Sequence, residues 1–327
     1  MSRRALIVIC LFGVACGGSP STAPSPAPGA QASAVVIKYL NDLVDIMQAN
    51  SVNRLVIEWT SFRSQVLSAA GSAQAIADAS PAITVALGLL NDHHSFYQRA
   101  TGGGISNPRF PSGCAVPAVA DATVPADIGY LRIGAFSGNA AAEVALATDL
   151  HSRIAAQDRD GLAGWIVDLR GNGGGDMWPM LAGAGPILGE GTAGYFIAPA
   201  YTTAWGYNGT ASVDGTFLAV QLEKPYRLIA QNPRVAVLTN EAVASSGEAI
   251  VVAFRGRPNA RSFGARTCGV PTANRAFVLS DGSSLFLTTA VDADRNRVTY
   301  DSAIPPDETS TDPDATVARA IAWIRGG

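Results

Sequence analysis

The sequence predicts an α/β domain preceded by an α-helical N-terminal domain. Three observations carry this. Before residue 100 apolar residues recur at helical spacing; after residue 128 short apolar, strand-like runs alternate with helical stretches; the segment between them is rich in Gly, Pro and Ser. With 48% of its 327 residues hydrophobic, the chain has ample material for a packed core.

The first residues read as an export signal. Met1-Ser2-Arg3-Arg4 is a short basic segment, and residues 5–14 are apolar but too few to span a bilayer comfortably. Val14-Ala15-Cys16-Gly17-Gly18-Ser19 resembles a bacterial lipoprotein cleavage site with Cys16 as the lipidated residue, although Gly13 stands where leucine is usual. An ordinary secretory signal over residues 1–16, cut nearby, is the alternative. Residues 17–34 are almost all Ser, Pro, Ala, Thr and Gly and read as a flexible tether. No later run is long enough for a membrane helix, so the expectation is an exported protein of the bacterial cell envelope, in the periplasm or at the outer surface, held by lipid.

Val36, Leu40, Leu43 and Met47 share one face of a first helix. A second covers residues 55–70, and a third begins with Ser80 as N-cap and Pro81 at the first helical position. Together they form a helical domain over residues 35–100. A connector, 101–127, leads to the α/β domain, 128–327. There, residues 128–133, 165–169, 235–239 and 285–289 read as strands, and a last helix starts at Asp312-Pro313 and buries Val317, Ile321 and Ile324.

A net charge of −3 without a basic stripe argues against nucleic acid as a partner. No His/Cys/Asp cluster stands at ligand spacing, so no metal is implied. Of the four cysteines, Cys114 and Cys268 are the ones expected to keep a thiol after processing; in an oxidising compartment they could pair, and a free thiol nucleophile is the competing reading.

Three stretches carry candidate chemistry. Ala244-Ser245-Ser246-Gly247-Glu248 joins a buried strand to a helix, where free backbone N–H groups and the positive end of the helix dipole can hold an oxyanion. Ser245-x-x-Glu248 is equally a capping box, and a nucleophile at a helix N-terminus can occupy one. Asp168-Leu169-Arg170-Gly171-Asn172-Gly173-Gly174-Gly175 ends another buried strand. It is either a sharp turn or a donor loop; without a following Gly-Lys-Ser/Thr it is no phosphate loop. Asp92-His93-His94-Ser95 ends the third helix and holds two of the three histidines, while His151 reads as a surface residue.

In this order the three stretches resemble the tail-specific, or C-terminal-processing, serine peptidase family, which includes tricorn-type proteases and the interphotoreceptor retinoid-binding protein repeats. The resemblance runs over residues 52–307. It implies a ClpP/crotonase-like spiral core, a peptide or protein substrate and no cofactor. It places the nucleophile three positions before Glu248, at Ser245, and the oxyanion hole at the amides of Ser246 and Gly174.

The processing branch of that family uses a lysine base in a Tyr-Gly-Lys segment. Here Phe263-Gly264-Ala265-Arg266-Thr267-Cys268-Gly269-Val270 puts Val270 at that position, and the chain's two lysines, Lys38 and Lys224, lie elsewhere. Arg266 does not deprotonate near neutral pH. A histidine base, as in the tricorn-type branch, aligns with His94; His93 is the alternative register. The acid of that branch precedes a segment resembling Ile304-Pro305-Pro306-Asp307, and the nearest carboxylate is Asp301, which otherwise reads as an exposed turn residue. Asp168 is expected to fix the Gly-rich loop. The connector is too short for the PDZ domain common in the family.

The expectation is an exported serine peptidase working through an acyl-enzyme. Its rivals are a binding protein for hydrophobic ligands on the same scaffold and a small-molecule esterase or amidase; against the last, Val243 replaces the first glycine of Gly-x-Ser-x-Gly. Oligomeric state is left open.

Overall fold

The computed structural model describes residues 31–115 and 117–327. The expected signal segment and Cys16 lie outside these residues, as does most of the linker.

Helix α1 (Ala34–Asn50) buries the expected face, Val36, Leu40, Leu43 and Met47, and Ser33 caps it by accepting the Val36 N–H at 3.4 Å. Helix α2 (Trp59–Ala69) starts later than its spacing suggests, because Leu55 and Val56 lie in turns and stay exposed. Helix α3 (Ser80–Leu89) has Ala79 at its N-cap, so Ser80 lies one position inside.

These helices do not close a core of their own. Their apolar faces pack with Leu279, Leu285 and Leu287 from the second half of the chain. Strands β1 (Phe96–Gln98) and β2 (Gly104–Ile105) extend from them onto β12 (Ser284–Asp294). The domain boundary expected at residue 100 therefore falls inside a β-hairpin. Three short helices cannot bury enough apolar surface alone, and the sheet supplies the remainder.

Two sheets build the rest. The parallel sheet contains β3 (Ile128–Arg132), β4 (Gly164–Asp168), β9 (Arg234–Thr239), β10 (Ala260–Gly264) and β14 (Glu308–Thr309), in the order β14-β10-β9-β4-β3. Each new strand adds on the same side, so the chain winds in one direction. Strand β4 is buried at all five positions, as a parallel strand covered on both faces should be.

The second sheet runs β2-β1-β12-β5-β6-β7-β8, with β5 (Gly191–Ile197), β6 (Thr202–Tyr207), β7 (Ala211–Asp214) and β8 (Phe217–Gln221). Strands β11 (Thr272–Val278) and β13 (Thr299–Tyr300) also pair with β12. The strand expected at 285–289 thus belongs to this antiparallel sheet and not to the alternation that suggested it.

Helices α4 (Ala140–Ala155), α5 (Met177–Leu188) and α6 (Ser246–Phe254) contribute to the main core, and α7 (Pro313–Ile324) packs against β9 and β10. His151, read as a surface residue, is buried. Its Nε2 bonds Ala182 O at 2.9 Å and its Nδ1 accepts the Tyr226 N–H at 2.9 Å, so it joins α4 to α5 and to a loop. The loops leaving the C-terminal ends of β4 and β9 meet at one edge of the parallel sheet, the edge where α/β proteins build their sites.

Candidate active site

Ser245 sits between β9 and α6 with φ 52° and ψ −121°. A non-glycine residue pays for that backbone, and such strain persists only where surrounding contacts enforce it. Glu248 supplies them. Its buried carboxylate accepts N–H groups from Ser245 (3.0 Å), Gly269 (2.9 Å) and Val270 (2.8 Å), and the Thr267 hydroxyl. Burial pushes the Glu248 pKa up while these donors pull it back. The Ser245 Oγ makes no capping hydrogen bond, and the residue lines a cavity of about 1100 Å³. The neighbouring hydroxyl is committed: Ser246 Oγ donates to Gly175 O at 2.6 Å.

The Gly-rich loop faces Ser245. Asp168, fully buried, accepts from Arg170 N (3.1 Å), Nε (2.9 Å) and Nη2 (2.6 Å) and from the Tyr130 hydroxyl (2.8 Å), which fixes the loop's base. Asn172 ties it to the serine: its backbone O accepts the Ala244 N–H at 3.0 Å. Gly174 has φ 100°, and a Cβ there would come within 2.8 Å of Ala244 O and of Ser245 Cβ. Glycine is thus required for the close approach. Yet the Gly174 N–H donates to Asn172 Oδ1 at 3.0 Å, so the amide expected in the oxyanion hole is already engaged. Gly175 and Ser246 line the cavity, and their N–H groups have no hydrogen-bond partner among the described residues.

His94 reaches the same cavity from the other side. Asp92 shapes its loop by accepting the N–H groups of His94 (2.9 Å) and Ser95 (2.8 Å), and Asn274 Nδ2 donates to His94 O at 3.0 Å. The imidazole is 8% exposed, and burial lowers its pKa from 6.5 to about 4, against a smaller opposing contribution from Thr272. It is therefore neutral at neutral pH and able to accept a proton. Its Nδ1 lies 2.8 Å from Thr272 Oγ1. No hydrogen bond joins the ring to Ser245; such bonds are often long until substrate binds. His93 is exposed and outside the cavity lining.

Asp301 is not brought to the imidazole. It is exposed and absent from the cavity lining, and a threonine hydroxyl takes the ring contact expected of it. The turn that carries it follows β13, which pairs with β12.

The family model for peptidase family S41 matches residues 127–310, more than half of the chain. The chain belongs to peptidase family S41. As a member it is a serine peptidase with the α/β fold class read from its sequence. It is 28% identical over 271 residues to a nisin-resistance protein of Lactococcus lactis subsp. lactis, covering 82% of this chain and 80% of that one. It is 30% identical over 188 residues to a carboxyl-terminal-processing protease of Synechocystis sp., covering 57% of this chain and 38% of that protein. Among solved structures, a lipoprotein from Streptococcus agalactiae superposes with a TM-score of 0.66 at 20% identity, over 89% of this chain and 96% of that one.

This S41 chain also holds site residues that its motifs did not reveal. Thr272 and Asn274 come from β11, far along the chain from His94, and only the hydroxyl and amide chemistry of a Thr-x-Asn pair could have flagged them. Val270, which the resemblance aligned with the lysine of the processing branch, is 1% exposed and lines the same cavity as Ser245. Cys268, two residues earlier, is bonded to Cys114, with an S–S distance of 1.98 Å.

Proposed function

We propose that this S41 peptidase is exported and uses Ser245 as nucleophile with His94 as its base. The observation that carries the reading is the shared cavity: a neutral, buried imidazole and a strained serine whose hydroxyl is not used as a helix cap line the same space. Ser245 Oγ attacks the peptide carbonyl while His94 Nε2 takes its proton. The amides of Ser246 and Gly175 hold the oxyanion, Gly175 replacing Gly174. His94 then protonates the leaving amine, and water, deprotonated by the same ring, releases the acyl group. Thr272 Oγ1 receives the Nδ1–H and so keeps Nε2 as the basic nitrogen, the orienting part expected of Asp301.

The envelope location rests on the N-terminal signal pattern and is supported by the likeness to a nisin-resistance protein and to a lipoprotein. The Cys114–Cys268 bond fits an oxidising compartment.

A fluorophosphonate probe tests the nucleophile. It is expected to label native protein at Ser245, found by peptide mapping, and to leave Ser245→Ala unlabelled. His94→Ala is expected to lower kcat by about 10²–10⁴-fold on any cleaved peptide, with Lys38→Ala and Lys224→Ala unchanged. Loss of activity in Lys224→Ala would overturn the histidine base. An unlabelled native protein would leave a binding protein on this scaffold as the better reading.

A further inference from the structure

The cavity floor contains a carboxylate that the proposed mechanism does not use. Asp292 lies on β12, is 1% exposed and lines the cavity that holds Ser245 and His94. Its Oδ1 has no hydrogen-bond partner, and no ion pair among the described residues reaches it. Burial, with Glu248 as a smaller contribution, pushes its pKa up to about 8. At neutral pH the group is therefore mostly protonated, and the partner that would draw it back to the carboxylate while supplying the missing hydrogen bond is a cation that also donates.

The surroundings suit such a group. Asp292 pairs across the sheet with Phe196 of β5, which pairs with Thr203 of β6, so the three side chains stand in a row on the cavity-facing side. Phe196 meets Trp178 edge-on, with ring centroids 6.2 Å apart, giving an aromatic wall along which the methylenes of a long side chain can lie. Beyond them Asp214 of β7 also lines the cavity and also has an unpartnered, buried Oδ1, with its pKa raised by burial. Asp214 pairs with Trp205, two positions along β6 from Thr203, so three strand spacings of about 4.8 Å and a two-residue offset separate it from Asp292, too far to share one cation with it. Arg275, the arginine at the cavity lining, is exposed and lies over the Phe277 ring at 5.8 Å.

We propose that Asp292 is a specificity residue that receives a cationic group of the peptide substrate, a basic side chain or a free amino terminus, beside the aromatic wall formed by Phe196 and Trp178. This deepens the peptidase reading above and rests on it.

Binding to Ser245→Ala protein tests it without turnover. Peptides of the form acetyl-Ala-Ala-Xaa-Ala-Ala-amide, with arginine or its neutral isostere citrulline at Xaa, are compared by calorimetry. A second arm compares an all-alanine peptide with a free amino terminus against its acetylated form. At least one cationic peptide is expected to bind about tenfold or more tightly than its neutral match, and the arm that responds identifies the source of the cation. The preference is expected to vanish in Ser245→Ala/Asp292→Asn. Equal affinities in both arms, binding of none of the peptides, or a preference that survives Asp292→Asn would overturn the assignment. The first comparison needs no change at Asp292, so misfolding of that variant does not rescue the proposal. Fluorophosphonate labelling of native protein reports separately on the nucleophile: labelling without cation preference defeats only the subsite, and cation preference without labelling defeats only the peptidase mechanism.

Discussion

His94 titrates far from an ordinary imidazole because it is surrounded by protein, and this has two measurable consequences. The proposed base is neutral down to about pH 4, so the acidic limb of kcat/KM is expected near about 4 and not near 6.5. In the unfolded chain the same ring takes up a proton near 6.5. As pH falls from 6.5 towards 4 the unfolded state gains protons that native His94 refuses, and native stability drops, by up to about 3 kcal/mol. Urea midpoints measured across this range should fall for the native sequence and fall less for His94→Gln. Thr272 acts on the other ring nitrogen. Thr272→Val removes the hydroxyl at nearly constant volume and is expected to lower kcat roughly tenfold with little change in KM, as loss of the orienting contact requires. At this scale Ser-Ser-Gly-Glu and Asp-His-His-Ser are local patterns that drew attention to Ser245 and His94, and the structure adds that both line one cavity. Thr272 has no such pattern: it reaches His94 across 178 positions of sequence. Gly174 illustrates the opposite limit. Its need for glycine was legible, but the consumption of its amide by Asn172 depends on a side-chain direction that spacing does not encode.

Helix α6 and the loop before β11 act as one element because Glu248 holds both. The sequence shows only the capping-box half of this, the reach from Glu248 to the Ser245 N–H. The other half, acceptance from Thr267, Gly269 and Val270, clamps the cavity wall at the position the resemblance aligned with the lysine of the processing branch. Glu248→Ala would strand these donors in the interior and is expected to cost about 3–5 kcal/mol in chemical denaturation. Glu248→Gln, which keeps an acceptor, is expected to lose less. The helices α1, α2 and α3 were predicted with small errors at their starts, since amphipathic spacing survives any tertiary context. Their docking onto β12 was not, because Leu285 and Leu287, which receive them, lie in a strand far along the chain.

For the molecule as a whole, the Cys114–Cys268 bond closes a segment of 154 positions and fastens the connector beside Ala244 and Val270. Cys114→Ser is expected to lower stability by about 2–5 kcal/mol in non-reducing buffer, with the native protein falling to the same level after reduction; thermal denaturation with and without reductant checks this. A pair of cysteines in a chain read as exported suggests such a bond, but only the meeting of the connector with the loop before β11 makes it geometrically available. Local chemistry was sufficient for the α/β class and for singling out the three motif-bearing loops, because periodicity, glycine and charge act over a few residues. Tertiary contact decided which amides stay free, what orients the imidazole, where the N-terminal helices find their core, and that Asp292 faces the cavity unpaired. Those outcomes depend on strand register and burial between distant segments, where one step along a strand sends a side chain to the opposite face.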